Sequence, residues 1–465
     1  MSIPFSKKTP IMKRFAVRPS LLAMLATIVF NPAANATNGM NMEAWGAKSG
    51  GMGGAAYAFD AGNSATMNNP ATLGLKPADK ADLGLGLTLL MPDVSSSHPM
   101  AGAQDSDGTA YWMPSVSYIR RQGDYSFGVA MLAQGGMGTE YGAGSPLFER
   151  GINSLGNPIF MSREEIRSEV GFGRLMFPLA WNVNENLTLA GQIDLAWASM
   201  DLQMDMDGQT LAGMMGQGLV VGSLEQALPT MLGGNPIDYA RFDFSDNNAM
   251  TGKAKSYGWG YKLGALWRVN EQYKLGIAYH AKTQMGDMKT DDATIKVNAM
   301  PMQGRLKVVD FQWPETYGLG VAYDAGGAWS WAADVKRIIW SDAMASFRMN
   351  FVATNGMDLD VTMPQNWEDQ TVLALGVQYK LNPKLALRAG VNHASNPVPA
   401  QTLNPLFPAI VETHYTLGLG YRFDPKRSIA ASVALAPEVS QTSSVTGITS
   451  THSQATLRVN YNHSF

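Results

Sequence analysis

The last stretch of the chain alternates between two kinds of side chain, and this alternation limits the fold more than any other feature. One row is mostly apolar and consists of Ser453, Ala455, Leu457, Val459, Tyr461, His463 and Phe465. The other row is wholly polar and consists of His452, Gln454, Thr456, Arg458, Asn460, Asn462 and Ser464. A period of two indicates a strand whose two faces meet different surroundings. A single strand of this kind suits either a soluble core or a lipid bilayer.

The same pattern recurs along most of the chain, and the recurrence favours a membrane barrel. Alternating segments run through 82–91, 111–121, 125–135, 165–182, 187–204, 251–269, 273–290, 310–323, 328–348, 369–380, 384–395, 412–423, 428–438 and 452–465. They number fourteen, and bacterial single-chain barrels have an even number of strands. We expect the last segment to pair with the first, because a closed ring leaves no strand edge unpaired.

The connections between these segments alternate in length. Short ones such as 122–124, 183–186 and 381–383 are interleaved with long ones such as 136–164 and 205–250. Short turns on one side of the membrane and long loops on the other are typical of outer-membrane barrels, and a soluble β-sandwich has no reason to alternate in this way. The sequence therefore predicts an all-β fold, a transmembrane antiparallel barrel of fourteen strands.

The first residues have the composition of a secretory signal. Five basic residues precede the apolar run 21–30, and Ala34-Asn35-Ala36 forms a small-x-small cleavage site. We therefore expect residues 1–36 to be a signal peptide rather than an uncleaved anchor, since the run is too short for a membrane helix of ~20 residues. Its removal leaves a net negative chain, which argues against a nucleic-acid partner. The absence of Cys excludes disulfides and zinc–thiolate sites.

The segment that follows differs from the rest of the chain. Residues 37–80 are rich in Gly, Ala and Asn and show no strand alternation. A flexible linker is the alternative, but Trp45, Tyr57 and the turn signal at Asn68-Asn69-Pro70 favour a compact segment. We expect a plug, or hatch, that packs in the lumen of a barrel formed by residues 81–465.

The long connection 205–250 is unusually apolar. Its apolar residues have a roughly helical spacing, which predicts short helices outside the barrel wall. Two interpretations remain open: a small local core beneath the loop, or an exposed groove for a hydrophobic ligand. The candidate groove residues are Met214, Met215, Leu219 and Leu224.

Enzyme and cofactor motifs are not found. The six His residues are scattered, and no H-E-x-x-H, G-x-S-x-G or nucleotide-binding loop occurs. We therefore predict no enzyme activity, no cofactor and no metal site. Two other barrel functions stay open at this point, a general porin and an outer-membrane barrel lipase whose Ser and His are distant in sequence.

Several stretches resemble one family, the FadL/TodX outer-membrane transporters of long-chain fatty acids and other hydrophobic compounds. The segment NGMNMEAWGAKSGGMGGAAYAFDAGNSATMNNPATLGL resembles the plug of that family, including an Asn-Pro-Ala motif. AQGGMGTEY (133–141), WPETYGLGVAY (313–323) and the block 366–403 resemble further parts of it. The match departs at the third strand, where Gly135-Gly136 replaces the Pro-Phe-Gly that relatives often have.

The resemblance implies a mechanism and roles for particular residues. A ligand would be captured in an extracellular apolar groove, pass to a luminal pocket near the hatch and leave sideways through a gap at a kinked third strand. The hatch would be held against the wall by Asn69, Pro70 and Ala71. The gap would be made by Gly135, Gly136 and Gly138, since Gly in a strand marks bulges and bends.

Two arginines complete the candidate ligand-binding residues. Arg388 and Arg422 point into the lumen by strand parity, where they would meet a carboxylate or form salt bridges with luminal acids. The expected substrates are long-chain fatty acids, with aromatic hydrocarbons as the alternative. We expect the protein to act as a monomer surrounded by outer-membrane lipids of a Gram-negative bacterium.

Overall fold

The computed structural model describes residues 38–248 and 251–465. The predicted signal peptide, residues 1–36, lies outside the described residues. The described chain belongs to one compact unit, Asn35–Phe465.

Antiparallel strands make up most of the structure. The strands are β1 Ala81–His98, β2 Gly102–Asp105, β3 Tyr111–Gln122, β4 Tyr125–Tyr141, β5 Arg150–Ile152, β6 Pro158–Phe160, β7 Ile166–Asn182, β8 Leu187–Asp207, β9 Val220–Val221, β10 Tyr239–Phe244, β11 Ala254–Arg268, β12 Tyr273–His280, β13 Gln284–Met285, β14 Met288–Val297, β15 Met300–Val309, β16 Thr316–Asp324, β17 Trp329–Ile338, β18 Ser346–Ala353, β19 Asp358–Pro364, β20 Gln370–Lys380, β21 Leu385–Ala394, β22 Thr413–Arg422, β23 Arg427–Thr442 and β24 Thr449–Ser464.

Helices are short and lie between the strands. The α-helices are α1 Ala47–Gly50, α2 Gly208–Gly216, α3 Ser223–Met231 and α4 Trp340–Ala343, and two 3₁₀ helices span Gly62–Met67 and Pro70–Leu75. Among the residues that the structure describes, no helix is both long and apolar enough to cross a membrane.

The strands pair into a closed ring. The pairing order is β1, β3, β4, β7, β8, β11, β12, β16, β17, β20, β21, β22, β23, β24 and back to β1. The closing pair runs from Asp82 opposite Ser464 to Ser97 opposite Thr449, and the Phe465 amide donates to the Ala81 carbonyl. The prediction that the last segment pairs with the first is confirmed.

The prediction of fourteen strands undercounts the sheet, which contains 22. The additional strands are β2, β9, β10, β13, β14, β15, β18 and β19. They arise because the long connections, which the sequence analysis treated as loops, contain alternating segments of their own. β8 thus continues to pair with β10 beyond the point where it leaves β11, and β10 in turn pairs with β14.

The outer face of the wall is apolar, whereas the inward faces of its strands carry many buried polar side chains. Leu417 on β22 is 62% exposed, whereas its neighbour Thr416 is 2% exposed. Aromatic side chains meet on the outer face near the short turns, as in the pairs Tyr125–Trp181 and Trp329–Tyr379. This polarity and these aromatic groups match a wall that faces lipid.

The segment 38–76 is buried and contacts wall strands from around the ring. The Gly53 amide donates to Thr416 Oγ1 on β22 at 3.0 Å. The amides of Ala56 and Tyr57 donate to one carboxylate oxygen of Asp334 on β17 at 2.6 and 2.9 Å. Further hydrogen bonds join the segment to Gly136 on β4 and Ala265 on β11, so it contacts several parts of the ring and lies against the inward face of the wall.

Glycines on the inward face of the wall make room for this segment. A Cβ at Gly276 on β12 would overlap the carbonyl oxygen of Tyr57, and one at Gly376 on β20 would overlap that of Met52. These strand glycines therefore mark positions where two backbones approach closely.

We predict that Gly276→Val displaces segment 38–76 and leaves the wall closed, because valine favours strands but collides with Tyr57. Purified variant in planar bilayers should show larger or more frequent ion currents than the unaltered protein, with the gel mobility of a folded barrel. Gly191→Val on β8, where a Cβ meets nothing within 4 Å, is the control. Equal currents from the two variants would contradict the prediction.

Candidate functional site

Strand β4 is irregular where the sequence has its glycines. Its register with β7 shifts between Ala133 and Gly135, so that Gln134 is an extra residue, a β-bulge. The Gln134 side chain accepts a hydrogen bond from Arg174 Nε, and its carbonyl accepts one from Trp45 Nε1 at 3.0 Å. The bulge is thus fastened from inside the ring by a wall arginine and a tryptophan of segment 38–76.

The wall opens beside this bulge. The pairing between β3 and β4 ends at Val116 opposite Met131. From there β3 continues to pair with β1, and β4 continues to pair with β7. Within the described chain, therefore, no backbone ladder joins residues 111–115 of β3 to residues 132–141 of β4.

Part of the missing ladder is replaced by segment 38–76. The Gly136 amide donates to the Met40 carbonyl at 3.1 Å, and Asn41 forms a bridge with Gly135. A Cβ at Gly135 would overlap the Met40 carbonyl oxygen, so this approach requires glycine. Of the three glycines predicted to make a gap, Gly135 and Gly136 lie at its edge beside Met40, and a Cβ at Gly138 would approach the Tyr111 hydroxyl at 2.9 Å.

A cavity of about 320 Å³ occupies the opening. Its apolar lining includes Met40, Leu90, Pro92, Val94, Trp112, Pro114, Met131, Leu132, Ala133, Val170, Phe172 and Trp197. The set combines inward residues such as Val94, which is buried, with outward residues such as Trp112, which is 50% exposed. The cavity therefore extends from the lumen to the outer face of the wall.

Polar groups in this cavity are few, and its described lining contains no Lys or Arg. Glu169 accepts a hydrogen bond from Arg167 Nη2 at 3.0 Å, and His452 Nδ1 lies 2.9 Å from the Pro408 carbonyl oxygen. The cavity can therefore receive an apolar molecule but offers no cation to a carboxylate.

The candidate groove residues are not equally accessible. Leu224 on α3 is fully buried and Met214 on α2 is 9% exposed, and both belong to the main apolar cluster. Met215 and Leu219 are half-buried and pack against that cluster. The expectation that Leu224 and Met214 line an open groove is therefore wrong. These side chains instead form a small local core beneath the loop, which was the other interpretation of the pattern.

The two predicted arginines lie elsewhere. Arg388 is 7% exposed, and its Nε donates to Gln378 Oε1 at 2.8 Å. Arg422 is exposed at the end of β22. Both line a second cavity at the short-turn end of the barrel, and neither lines the apolar cavity.

The Asn-Pro-Ala motif joins segment 38–76 to the wall. Asn69 Nδ2 donates to the Ala265 carbonyl on β11 at 3.1 Å and to the Tyr57 carbonyl at 2.7 Å. Its Oδ1 accepts from the Ala71 amide at 3.0 Å and so caps the 3₁₀ helix that begins at Pro70. One buried side chain thereby fixes two turns of the segment and one wall strand.

An ion pair that the sequence analysis did not single out makes a further attachment. Glu43 lies 2.7 Å from Arg458 Nη2 on β24, and both side chains are at most 1% exposed. Burial alone would raise the pKa of Glu43, but Arg458 and His414 beside it lower that pKa below its ordinary value near 4.5. The alternation of β24 places Arg458 inside the ring, but nothing in the sequence identifies its partner.

The closed ring of strands and its lipid-facing outer surface define an outer-membrane β-barrel with an apolar opening in its wall. The chain belongs to the family described as outer membrane protein transport protein (OMPP1/FadL/TodX), whose model matches residues 23–464. The proteins of this family that resemble it structurally are described as transporters and channels.

Individual proteins are similar to this chain to different degrees. The crystal structure of the Pseudomonas putida toluene transporter TodX is 28% identical, covers 91% of this chain and 99% of that one, and has a TM-score of 0.78. The Ralstonia pickettii toluene transporter TbuX is 29% identical with the same coverage and a TM-score of 0.76. An uncharacterized Chlorobium limicola protein is 46% identical over 25% of this chain and 56% of its own length. The chain spans little more than half the length of the curated relatives it matches first.

We predict that Glu43→Gln destabilises the folded barrel by about 3–5 kcal/mol at neutral pH, because it leaves Arg458 buried without its partner. The midpoint of urea unfolding in detergent, followed by tryptophan fluorescence, measures the effect. The exposed Glu185→Gln is the control.

The same measurement has an expected pH dependence. Since the pKa of Glu43 is lowered in the folded state, its contribution is fully present above about 4.5 and is lost as the pH falls through the folded-state pKa. The difference between the unaltered protein and Glu43→Gln should therefore shrink on acidification. A difference that grows below pH 4.5 would contradict this account of the ion pair.

Proposed function

We propose that the protein is a passive outer-membrane transporter for small uncharged hydrophobic compounds such as monoaromatic hydrocarbons. The observation that carries the proposal is the apolar cavity between β3 and β4, which reaches from the lumen to the outer face of the wall. A ligand that enters this cavity from the lumen leaves it sideways into the bilayer.

Sideways exit suits the chemistry of such a ligand. Burial of each CH₂ group stabilises a hydrophobic molecule by about 0.8 kcal/mol. A water-filled route would forfeit that stabilisation, whereas the opening passes the ligand from Met40 and Phe172 to Trp112 and Met131 without leaving apolar surroundings. The membrane then takes up the ligand directly.

The lining favours an uncharged substrate over a fatty acid. A buried carboxylate needs a cation or several hydrogen-bond donors. The only Asp, Glu, Lys or Arg in the described lining of the cavity is Glu169, which is already paired with Arg167 and offers a carboxylate no cation. Trp112, Phe172 and Trp197 instead offer aromatic surfaces, and the two toluene transporters described above are consistent with this choice.

We propose that residues 37–80 are the hatch of this transporter. Asn69 and the Glu43–Arg458 ion pair hold it to β11 and β24, and Met40 and Asn41 form the inner border of the opening. A closed hatch distinguishes such a transporter from a general porin. The partly exposed Met215 and Leu219 remain our proposal for the outer landing site.

We predict that Ala133→Trp slows uptake of toluene to about a tenth, equivalent to a barrier of about 1.4 kcal/mol, because the indole fills the opening. Uptake of radiolabelled toluene by cells producing the protein measures the rate. Val129→Trp is the matched control, since Val129 is exposed on the same strand but does not line the cavity. Unchanged uptake by a folded Ala133→Trp barrel would refute sideways exit.

We also predict that detergent-purified protein binds toluene at least about tenfold more tightly than oleate. The physical reason is the absence of a cation in the described lining and the presence of Glu169. Equilibrium dialysis at matched ligand concentrations compares the two ligands. Glu169→Gln should narrow the difference, because it removes an acid from the lining and leaves Arg167 with one acidic partner fewer. Tighter binding of oleate would show that the substrate is a fatty acid.

A further inference from the structure

A second cavity, of about 1230 Å³, lies at the short-turn end of the barrel. Its lining includes residues from the turns after β16, β20 and β22 and from segment 38–76. Short turns face the periplasm in barrels of this kind, so the cavity opens to the periplasmic side. It is separate from the apolar opening between β3 and β4, and the two share no lining residue.

Positive charge dominates this cavity. Each of the three acids in its described lining already has a basic partner. These ion pairs are Lys48–Asp60 at 2.9 Å, Lys380–Asp324 at 3.1 Å and Arg427–Asp424 at 2.7 Å. The remaining basic residues of the lining are Lys274, Lys384, Arg388, Arg422 and Lys426, and none of them forms an ion pair within the described chain. A net positive cavity concentrates anions at its surface.

Arg388 gives this charge a defined centre. The side chain is 7% exposed, and its one hydrogen bond runs from Nε to Gln378 Oε1. Its Nη1 is buried and has no hydrogen-bond partner among the described residues. The guanidinium lies over Gly420, where a Cβ would come within 3.0 Å of Nη1, so the glycine leaves space for it.

A buried guanidinium with unused donors is costly unless an acceptor meets it. Carboxylate and phosphate groups match its planar fork, and they accept two parallel hydrogen bonds from it. The surrounding Lys274, Arg422 and Lys426 come from β12, from the end of β22 and from the turn after it. Their spread around the mouth suits an anion with more than one charged group rather than a single carboxylate.

We propose that the periplasmic mouth of the barrel binds an anion that carries two or more phosphate or carboxylate groups, with Arg388 as its central contact. This site is independent of the proposed transport route. Lys48 of segment 38–76 also lines the cavity, so both the wall and that segment border the proposed site.

The test is calorimetric titration of detergent-purified full-length protein with pyrophosphate and, separately, with citrate. We expect binding that weakens with salt, and a loss of about tenfold in affinity for Arg388→Gln. The double variant Arg422→Gln/Lys426→Gln, both exposed, should weaken binding without any risk to folding. Lys289→Gln, an exposed charge on the long-loop side, is the control and should bind as the unaltered protein does.

The source of the anionic group is resolved by repeating the pyrophosphate titration in nanodiscs. Binding of pyrophosphate in both phosphatidylcholine and cardiolipin-containing nanodiscs supports a soluble anion as the ligand. Binding only in phosphatidylcholine nanodiscs supports occupation of the same site by a lipid headgroup that carries two phosphates. The proposal is overturned if neither probe binds the unaltered protein, or if Arg388→Gln and the double variant bind with unchanged affinity.

Discussion

The closed backbone ladder is the constraint on which the rest of this structure depends. A strand in lipid has no water to satisfy its amides and carbonyls, so each strand must pair on both sides. The pairing of β1 with β24 closes the ring and so gives both of these strands a partner on each side. In a closed ring, one face of every strand points into the lumen. The inward faces carry charged and polar groups such as Arg174, Asp194 and Lys262, which form ion pairs with side chains at most 2% exposed. A barrel with such an interior needs either water or a polar filling.

Segment 38–76 lies against these inward faces and makes many of its contacts with the wall through its backbone. Its amides donate to Asp334 and Thr416, and its carbonyls lie against strand glycines. Backbone contact demands close approach, which explains why a segment rich in Gly and Ala packs against strands interrupted by Gly. A composition that would also suit a flexible linker thus permits the close backbone contacts of this segment with the wall.

The sequence predicts the wall better than the parts that act on a ligand. Alternation identifies strands and their inward faces, because a period of two is a local property, and it places Arg388 and Arg458 inside correctly. It does not show which groups meet across the ring. The Glu43–Arg458 pair joins residues more than four hundred positions apart. The roughly helical spacing within 205–250 likewise predicts one or two short helices, and the described part of that connection forms two. The spacing cannot distinguish the buried face that holds Leu224 from an open groove.

The opening between β3 and β4 is the place where the closed backbone ladder of the wall is interrupted. A gap between β3 and β4 exposes backbone groups that lipid cannot satisfy. Here the pairing of β3 with β4 ends at Met131, and beyond the bulge at Gln134 the Met40 carbonyl accepts a hydrogen bond from the Gly136 amide. Segment 38–76 therefore satisfies part of the backbone that the gap leaves unpaired. The same backbone contact that stabilises the gap also ties it to segment 38–76, so a movement of that segment would alter the hydrogen bonding at the border of the opening.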